Sequence, residues 1–370
     1  MIRSDTDNYQ QLFLHDIPLM DVRAPVEFDK GAFPQSQNRP ILDDLQREAV
    51  GTCYKRHGQD AAIALGLKLA TADIRQQRIE QWSQFISEHQ EGYLYCFRGG
   101  LRSRTTQAWL KEQGVHYPLI KGGYKAMRSY LIQQLESGIN NVPLVILSGL
   151  TGSGKTQVLN KTPYAIDLEG LANHRGSAFG SDLTNFQPTQ INWENQLSIA
   201  YLKHQHNFPT SGLLLEDEGN RIGRNLMPES LNKKIAQAPL LFLECDIEQR
   251  IAIIRKDYID TNWPQYQQFY SQTAQEHFSS FVLDSLSRIK KRLGGSRYQK
   301  IHSLFTHALS HLFSTGKSDL FDEGIRLLLL EYYDPMYQYQ LQKKQRHILF
   351  HGTETEILDW VKEHLKTTLL

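Results

Sequence analysis

The chain is 370 residues long, with 41 Lys and Arg against 40 Asp and Glu, 40% hydrophobic residues and 22% charged ones. That length suits about two domains and the composition is that of an ordinary globular protein. A net charge of +1 excludes a global basic field, so a nucleic-acid partner would have to be met by local patches.

The three cysteines, Cys53, Cys96 and Cys245, are too few and odd in number for a disulfide framework and point to a reducing compartment. No apolar run approaches the roughly 18 residues of a membrane span, and the first residues lack a signal-peptide core. A soluble cytoplasmic protein is expected.

A first α/β domain is expected over residues 1–140. The apolar stretch Ile17-Pro18-Leu19-Met20 runs into Asp21-Val22-Arg23, and Ala24-Pro25-Val26-Glu27-Phe28 reads as a helix start with Pro in its first turn. Helices are expected over 63–69 and 75–89. Cys53 sits beside Lys55, Arg56 and His57. It is either a second thiol or a residue that merely lines a loop.

A short strand at 92–95 delivers Cys96 into Cys96-Phe97-Arg98-Gly99-Gly100-Leu101-Arg102-Ser103, followed by a helix over 104–113 that Gly114 stops. A cysteine between a strand end and a helix N-terminus faces amide dipoles. Arg98 and Arg102 lie close by in sequence. Both effects favour the thiolate. The same amides and arginines can hold an anionic substrate against the sulfur. A free cysteine is often only a small buried hydrophobe, but paired glycines and paired arginines point to a reactive thiol. The loop set is therefore Arg98, Gly99, Gly100, Arg102 and Ser103 around Cys96.

These residues, with Gly31-Ala32-Phe33-Pro34 and Lys121-Gly122-Gly123-Tyr124, resemble the rhodanese sulfurtransferases. The resemblance implies an α/β domain with a central parallel sheet and a loop cysteine that carries sulfur or selenium. Asp21 and Arg23 match an early structural motif of that family. Gln35-Ser36-Gln37-Asn38 departs from its usual Gly-Ala-x-Asn, and a long insertion follows.

The polar break Asn140-Asn141-Val142-Pro143 opens a second domain over 141–370. An apolar strand at 144–147 leads directly into Gly149-Leu150-Thr151-Gly152-Ser153-Gly154-Lys155-Thr156, a P-loop with a helix starting near Lys155. Its glycines let backbone amides wrap a phosphate, and the helix N-terminus adds positive potential. Lys155 supplies a mobile charge, and Thr156 can hold a metal ion. The loop does not say which phosphate it holds. Further strands at 164–168, 212–216 and 240–244, a last strand at 347–350 and a helix over 353–364 suggest a doubly wound parallel sheet. A mostly helical insertion is expected over 249–333. Cys245, after an apolar run, reads as core.

Acidic residues at two strand ends, Asp167 and Glu216-Asp217, are the expected metal ligands beside Thr156. Arg175, Arg221 and Arg224 lie on Gly-rich loops where a sheet of this kind binds ligands, and are expected to share the anion site. His174 reads as a hydrogen-bonded loop residue more readily than a base. Arg288, Lys290, Lys291, Arg292 and Arg297 form the densest basic patch. It is either an RNA-backbone contact, with Tyr298 placed to stack a base, or a solvated helix face. Lys343-Lys344-Gln345-Arg346 is a smaller patch. The tyrosines of 332–339 either line an apolar slot or form core.

The two centres together, with Asp167-Leu168-Glu169-Gly170-Leu171-Ala172-Asn173-His174-Arg175-Gly176-Ser177, resemble the tRNA 2-selenouridine synthases over essentially the whole chain. That resemblance implies conversion of wobble 2-thiouridine in tRNA to 2-selenouridine through S-geranyl-2-thiouridine. Geranyl diphosphate and selenophosphate are the co-substrates, and Mg²⁺ is the expected ion at the P-loop. The main alternative is an ATP-using sulfur transferase acting on a small molecule. A nucleotide-switched anion sensor is a weaker one, because a sensor has no use for a nucleophile.

Overall fold

A computed structural model describes residues 3–174, 186–344 and 346–366. It divides the chain into two compact units: Met1–Gly138 with Thr189–Asn207, and Ile139–Pro188 with Phe208–Leu370. The sequence suggested one cut near residue 140. Instead the helix Gln190–Asn207, flanked on both sides by chain of the second unit, is part of the first. No helix among the described residues is long and apolar enough to cross a membrane.

The first unit is built on three parallel strands, β1 (Leu19–Asp21), β2 (Ser36–Asn38) and β3 (Tyr93–Tyr95), in the order β2-β1-β3. Parallel bridges from Leu94 to Leu119 and from Thr6 to Ile120 continue the sheet. Alternation of side chains along a strand sorts the core into two clusters. Met20, Leu94 and Cys96 pack with Trp82, Phe85 and Trp109, whereas Leu19 and Tyr95 pack with Phe13, Met127 and Leu131. Both faces are covered, as parallel sheets require.

Gln190–Asn207 adds Ile199 and Leu202 to the second cluster. It is pinned by Asn192 Oδ1, which accepts from Ala32 N at 2.7 Å, and by Asn195 Nδ2, which donates to Ala32 O at 2.8 Å. Asp21 and Arg23 form the expected structural pair. Both are buried, Arg23 Nη2 lies 2.6 Å from Asp21 Oδ2, and it also donates to Gly31 O at 2.8 Å. The insertion is a long helix, Asp44–Leu69, broken by a kink at Gly58 (φ 82°). Cys53 therefore sits on a helix, not on a loop. Asp43 accepts from Gln46 N and nucleates the turn there.

The second unit has a four-stranded parallel sheet. β4 (Leu144–Gly149) and β5 (Leu213–Glu216) pair directly. After a short antiparallel hairpin, β6 (Arg221–Ile222) with β7 (Asn225–Leu226), the sheet is completed by β8 (Leu240–Leu243) and β9 (Ile348–Gly352), in the order β5-β4-β8-β9. The strand expected at 164–168 shrinks to a bridge from Ala165 to Leu214. Asp167 caps the helix Leu168–Leu171 by accepting from Gly170 N at 2.7 Å, so the chain turns before a strand can lengthen. Helical structure runs from Ile247 to Lys344, past the expected end, and includes π-helical segments at Lys256–Asp260 and Leu329–Tyr333.

Candidate functional site

The cysteine loop is held from behind by the turn at Gly122-Gly123. Tyr124 N donates to Cys96 O and Lys125 N to Phe97 O, both at 2.9 Å. A Cβ on Gly123 (φ 59°) would lie 2.3 Å from Cys96 O and 2.5 Å from Gly99 N, so only glycine lets the two turns close. Gly100 is the N-cap of the helix Leu101–Glu112, which begins three residues before the expected start. Cys96 is thus set between the end of β3 and a helix N-terminus, and only 3% of its surface is exposed.

The two arginines of the loop are not equivalent. Arg98 is exposed and lies against its neighbour Phe97, 5.9 Å from the ring centre. Arg102 is clamped by Glu27, with Nη1 to Oε2 at 2.5 Å and Nη2 to Oε1 at 3.1 Å. Burial alone lowers the pKa of the Arg102 guanidinium. Glu27 outweighs that, with smaller help from Cys96 and Asp21, and holds it above its ordinary value. An anion at Arg102 must therefore share it with Glu27, and Arg98 is the exposed cation of the loop. Ser103 is fully buried, and its Oγ has no hydrogen-bond partner among the described residues. Beside this helix lies a cleft of about 660 Å³, walled by Leu101, Arg102, Thr105 and Trp109 and, from the insertion, by Val50 and Ile63.

The P-loop follows β4 as expected, and the helix Lys155–Asn160 starts at the expected residue. Gly152 (φ 79°) and Gly154 (φ 84°) take left-handed conformations that favour glycine. Lys155 Nζ donates to Gly149 O at 2.9 Å, folded onto its own loop. Thr156 is exposed in the first helical turn, and Ser153 is buried with an Oγ that has no hydrogen-bond partner among the described residues. Arg250 fixes the loop from outside. Its Nε donates to Thr151 O at 2.9 Å while its Nη atoms pair with Asp334 at 2.9 and 2.5 Å.

The acidic residues sort differently from expectation, and strand alternation explains how. At the end of β5, Glu216 and Glu218 project to one side and Asp217 to the other. Asp217 accepts from Ser148 Oγ at 2.9 Å and from Arg346 Nη1 at 2.7 Å. Tyr337 Oη bonds to Ser148 Oγ and accepts from Gly149 N at 3.1 Å. Asp217 is thus committed to an internal ion pair, and Asp167 is committed to its helix cap. Among the described residues the carboxylates that converge are Glu169, Glu216 and Glu218, with ligand oxygens all within 4.8 Å of one another. Glu216 accepts from Glu169 N at 2.7 Å.

Burial, then the facing Glu169, pushes Glu216 well above the usual carboxylate range. Burial and Glu169 likewise push Glu218 up to about 8, with Lys155 pulling the other way. Three carboxylates that repel one another beside the P-loop lysine suit a divalent cation. Of the expected set only Glu216 belongs to this cluster. Glu169 and Glu218 lie outside the expected set, although the period-2 pattern at 216–218 carries the signal for Glu218.

Arg175 lies outside the described residues. His174 has a half-buried ring whose pKa burial lowers. Arg221 and Arg224 sit on the β6–β7 hairpin around Gly223 (φ 56°), where Arg224 Nη2 is already bonded to Gln187 O. Arg288, Lys290, Lys291, Arg292 and Arg297 are all exposed around the junction of the helices Ala274–Leu293 and Gly295–Thr315. Lys290 lies 4.8 Å from the centre of the Tyr298 ring, and Arg297 pairs with Glu331 at 3.1 Å.

A family model described as the tRNA 2-selenouridine synthase AAA domain matches residues 142–368. Curated proteins named tRNA 2-selenouridine synthase are similar over nearly the full length. That of Marinobacter nauticus is 50% identical over 366 residues, 99% of this chain and 99% of its own. That of Hahella chejuensis is 47% identical over 367 residues, 98% and 96% of the two chains. That of Shewanella halifaxensis is 46% identical over 357 residues, 96% and 97%.

Proposed function

The chain belongs to the tRNA 2-selenouridine synthase family, and from that premise we propose that it converts wobble 2-thiouridine in tRNA to 2-selenouridine in two transfers. The observation that carries this reading is coverage. Relatives of that name align with 99% of the chain, and so with both the cysteine loop and the P-loop. We read the first unit as a rhodanese-like domain. Its parallel sheet, with a cysteine between β3 and a helix N-terminus, supports this.

In the first transfer the P-loop holds the diphosphate of geranyl diphosphate. The C1–O bond breaks and diphosphate leaves with the electron pair. The thiouridine sulfur forms the new C–S bond, and the N3 proton passes to solvent. The loop amides and Lys155 stabilise the leaving charge. Glu169, Glu216 and Glu218, with Thr156, are the residues that would hold Mg²⁺. When bound, it would add positive charge next to the diphosphate.

In the second transfer selenophosphate supplies selenium. The new C2–Se bond replaces C2–S, and geranyl thiolate leaves with the electron pair. Water then cleaves Se–P to give phosphate. Cys96 positions the selenium for attack on C2 and forms no bond to it, since a thiol that took up selenide-level selenium would need a two-electron oxidant, and Arg98 with the amides of Gly99 and Gly100 orients the anionic donor. A reducing cytoplasm, which keeps Cys96 a free thiol, belongs to the same reading.

The test is mass analysis of nucleosides from 2-thiouridine tRNA incubated with Mg²⁺ and geranyl diphosphate, then with selenophosphate. Lys155→Ala is expected to abolish the geranyl adduct. Cys96→Ala is expected to keep the adduct and lose selenation. Full-rate selenation of geranylated RNA by Cys96→Ala would remove Cys96 from the selenium transfer. ATP consumption with no adduct would favour an ATP-using sulfur transferase instead.

A further inference from the structure

Thr151 of the P-loop is also a wall of a small cavity in the helical part of the second unit. The rest of the wall is aliphatic or aromatic, including Ile254, Tyr258, Phe305, Leu328 and Tyr333. Its volume is about 50 Å³. At about 10–15 Å³ for each water-sized occupant, it admits a handful of heavy atoms, the size of one five-carbon isoprene unit. A rigid purine does not fit that volume. The only polar side-chain groups on the wall are the hydroxyls of Thr151, Tyr258 and Tyr333, too few to read the edge of a base.

Two independent features mark this cavity as built. Both π-helical segments of the chain's described residues contribute to its wall, Lys256–Asp260 through Tyr258 and Leu329–Tyr333 through Leu329 and Tyr333. Single π turns are rare and are frequently found at functional sites. The wall is also locked to the P-loop. A Cβ on Gly152 would lie 2.6 Å from the Ile254 side chain, so loop and wall are in contact. Arg250, one turn before Ile254, bonds Thr151 O and pairs with Asp334, the residue that directly follows the second π segment. The phosphate cradle and the apolar cavity therefore keep a fixed spacing.

We infer that this cavity receives part of the isoprenoid chain of an allylic diphosphate whose phosphates lie on the P-loop, and that it sets the preferred chain length. The inference rests on reading the P-loop as a diphosphate site.

The test measures binding of inorganic diphosphate, dimethylallyl diphosphate, geranyl diphosphate and farnesyl diphosphate to the full chain with Mg²⁺. The unmodified protein is expected to bind geranyl diphosphate at least tenfold tighter than inorganic diphosphate. Leu328→Trp, which fills the cavity, should cut that ratio at least fivefold while leaving inorganic diphosphate within twofold. Leu328→Ala, which enlarges it, should move the preference toward farnesyl diphosphate, and it keeps the test open if the larger side chain prevents folding. Unchanged chain-length preference in Leu328→Ala, with inorganic diphosphate still bound, would overturn the cavity assignment alone. Binding of a nucleoside triphosphate but of none of the four diphosphates would overturn the P-loop reading, and this inference with it.

Discussion

Glu218 is the residue through which solution pH should be felt most directly. Burial and Glu169 push it up to about 8, against an ordinary value of 4.5. The folded chain therefore keeps a proton that the unfolded chain releases, and stability falls as pH rises through the window between those values. The melting temperature without divalent cations is expected to decline from pH 5 to pH 8.5. Glu218→Gln should flatten that decline. Mg²⁺ should restore stability at the alkaline end, because binding needs the ionised carboxylates. An unchanged profile in Glu218→Gln would remove the titration from this residue. The residue types at 216–218 were legible in the sequence. Which of them converge was not, since that depends on where Arg346 and Tyr337 meet Asp217.

At the scale of elements, the two loops that carry chemistry were the most legible parts, because their glycines answer to local backbone geometry. The β3–helix turn and the β4–helix turn both lie where the glycine spacing suggested. Local sequence says least where tertiary partners decide. Nothing local announces that the helix Gln190–Asn207 adds to the first unit's core, and its weak amphipathic pattern hides the buried Trp193, Leu197 and Leu202. The strand expected at 164–168 yielded to a helix cap at Asp167, and the π segments carry no sequence signature. One prediction belongs at this scale. Gly123→Ala forces a side chain onto the Cys96 carbonyl from a left-handed backbone position, at a cost of about 1–3 kcal/mol. It should lower the melting temperature and abolish selenation while the geranyl adduct still forms, as read by the same nucleoside mass analysis. Full selenation would show that the cysteine loop tolerates being displaced.

Across the whole molecule, near-neutral charge leaves RNA binding to local patches, and the helix junction at 288–297 is the densest of them. Phosphate contacts lose affinity steeply with salt. Replacing Lys290, Lys291 and Arg292 together by alanine should weaken binding to different tRNAs alike. It should also reduce the slope of log affinity against log salt by about 2–3. An unchanged slope would leave the patch as a solvated helix face.

The returning helix also matters for biosynthesis. Residues 1–138 leave the ribosome first, yet the cluster holding Phe13, Met127 and Leu131 stays open until Ile199 and Leu202 have been made. At about 5–20 residues per second, that is a delay of several seconds, during which the P-loop strand is translated but β5, β8 and β9 are not. The first unit therefore cannot finish as an autonomous N-terminal domain. A nascent chain stalled near residue 180 would present that apolar face to chaperones, and one stalled beyond residue 240 would not.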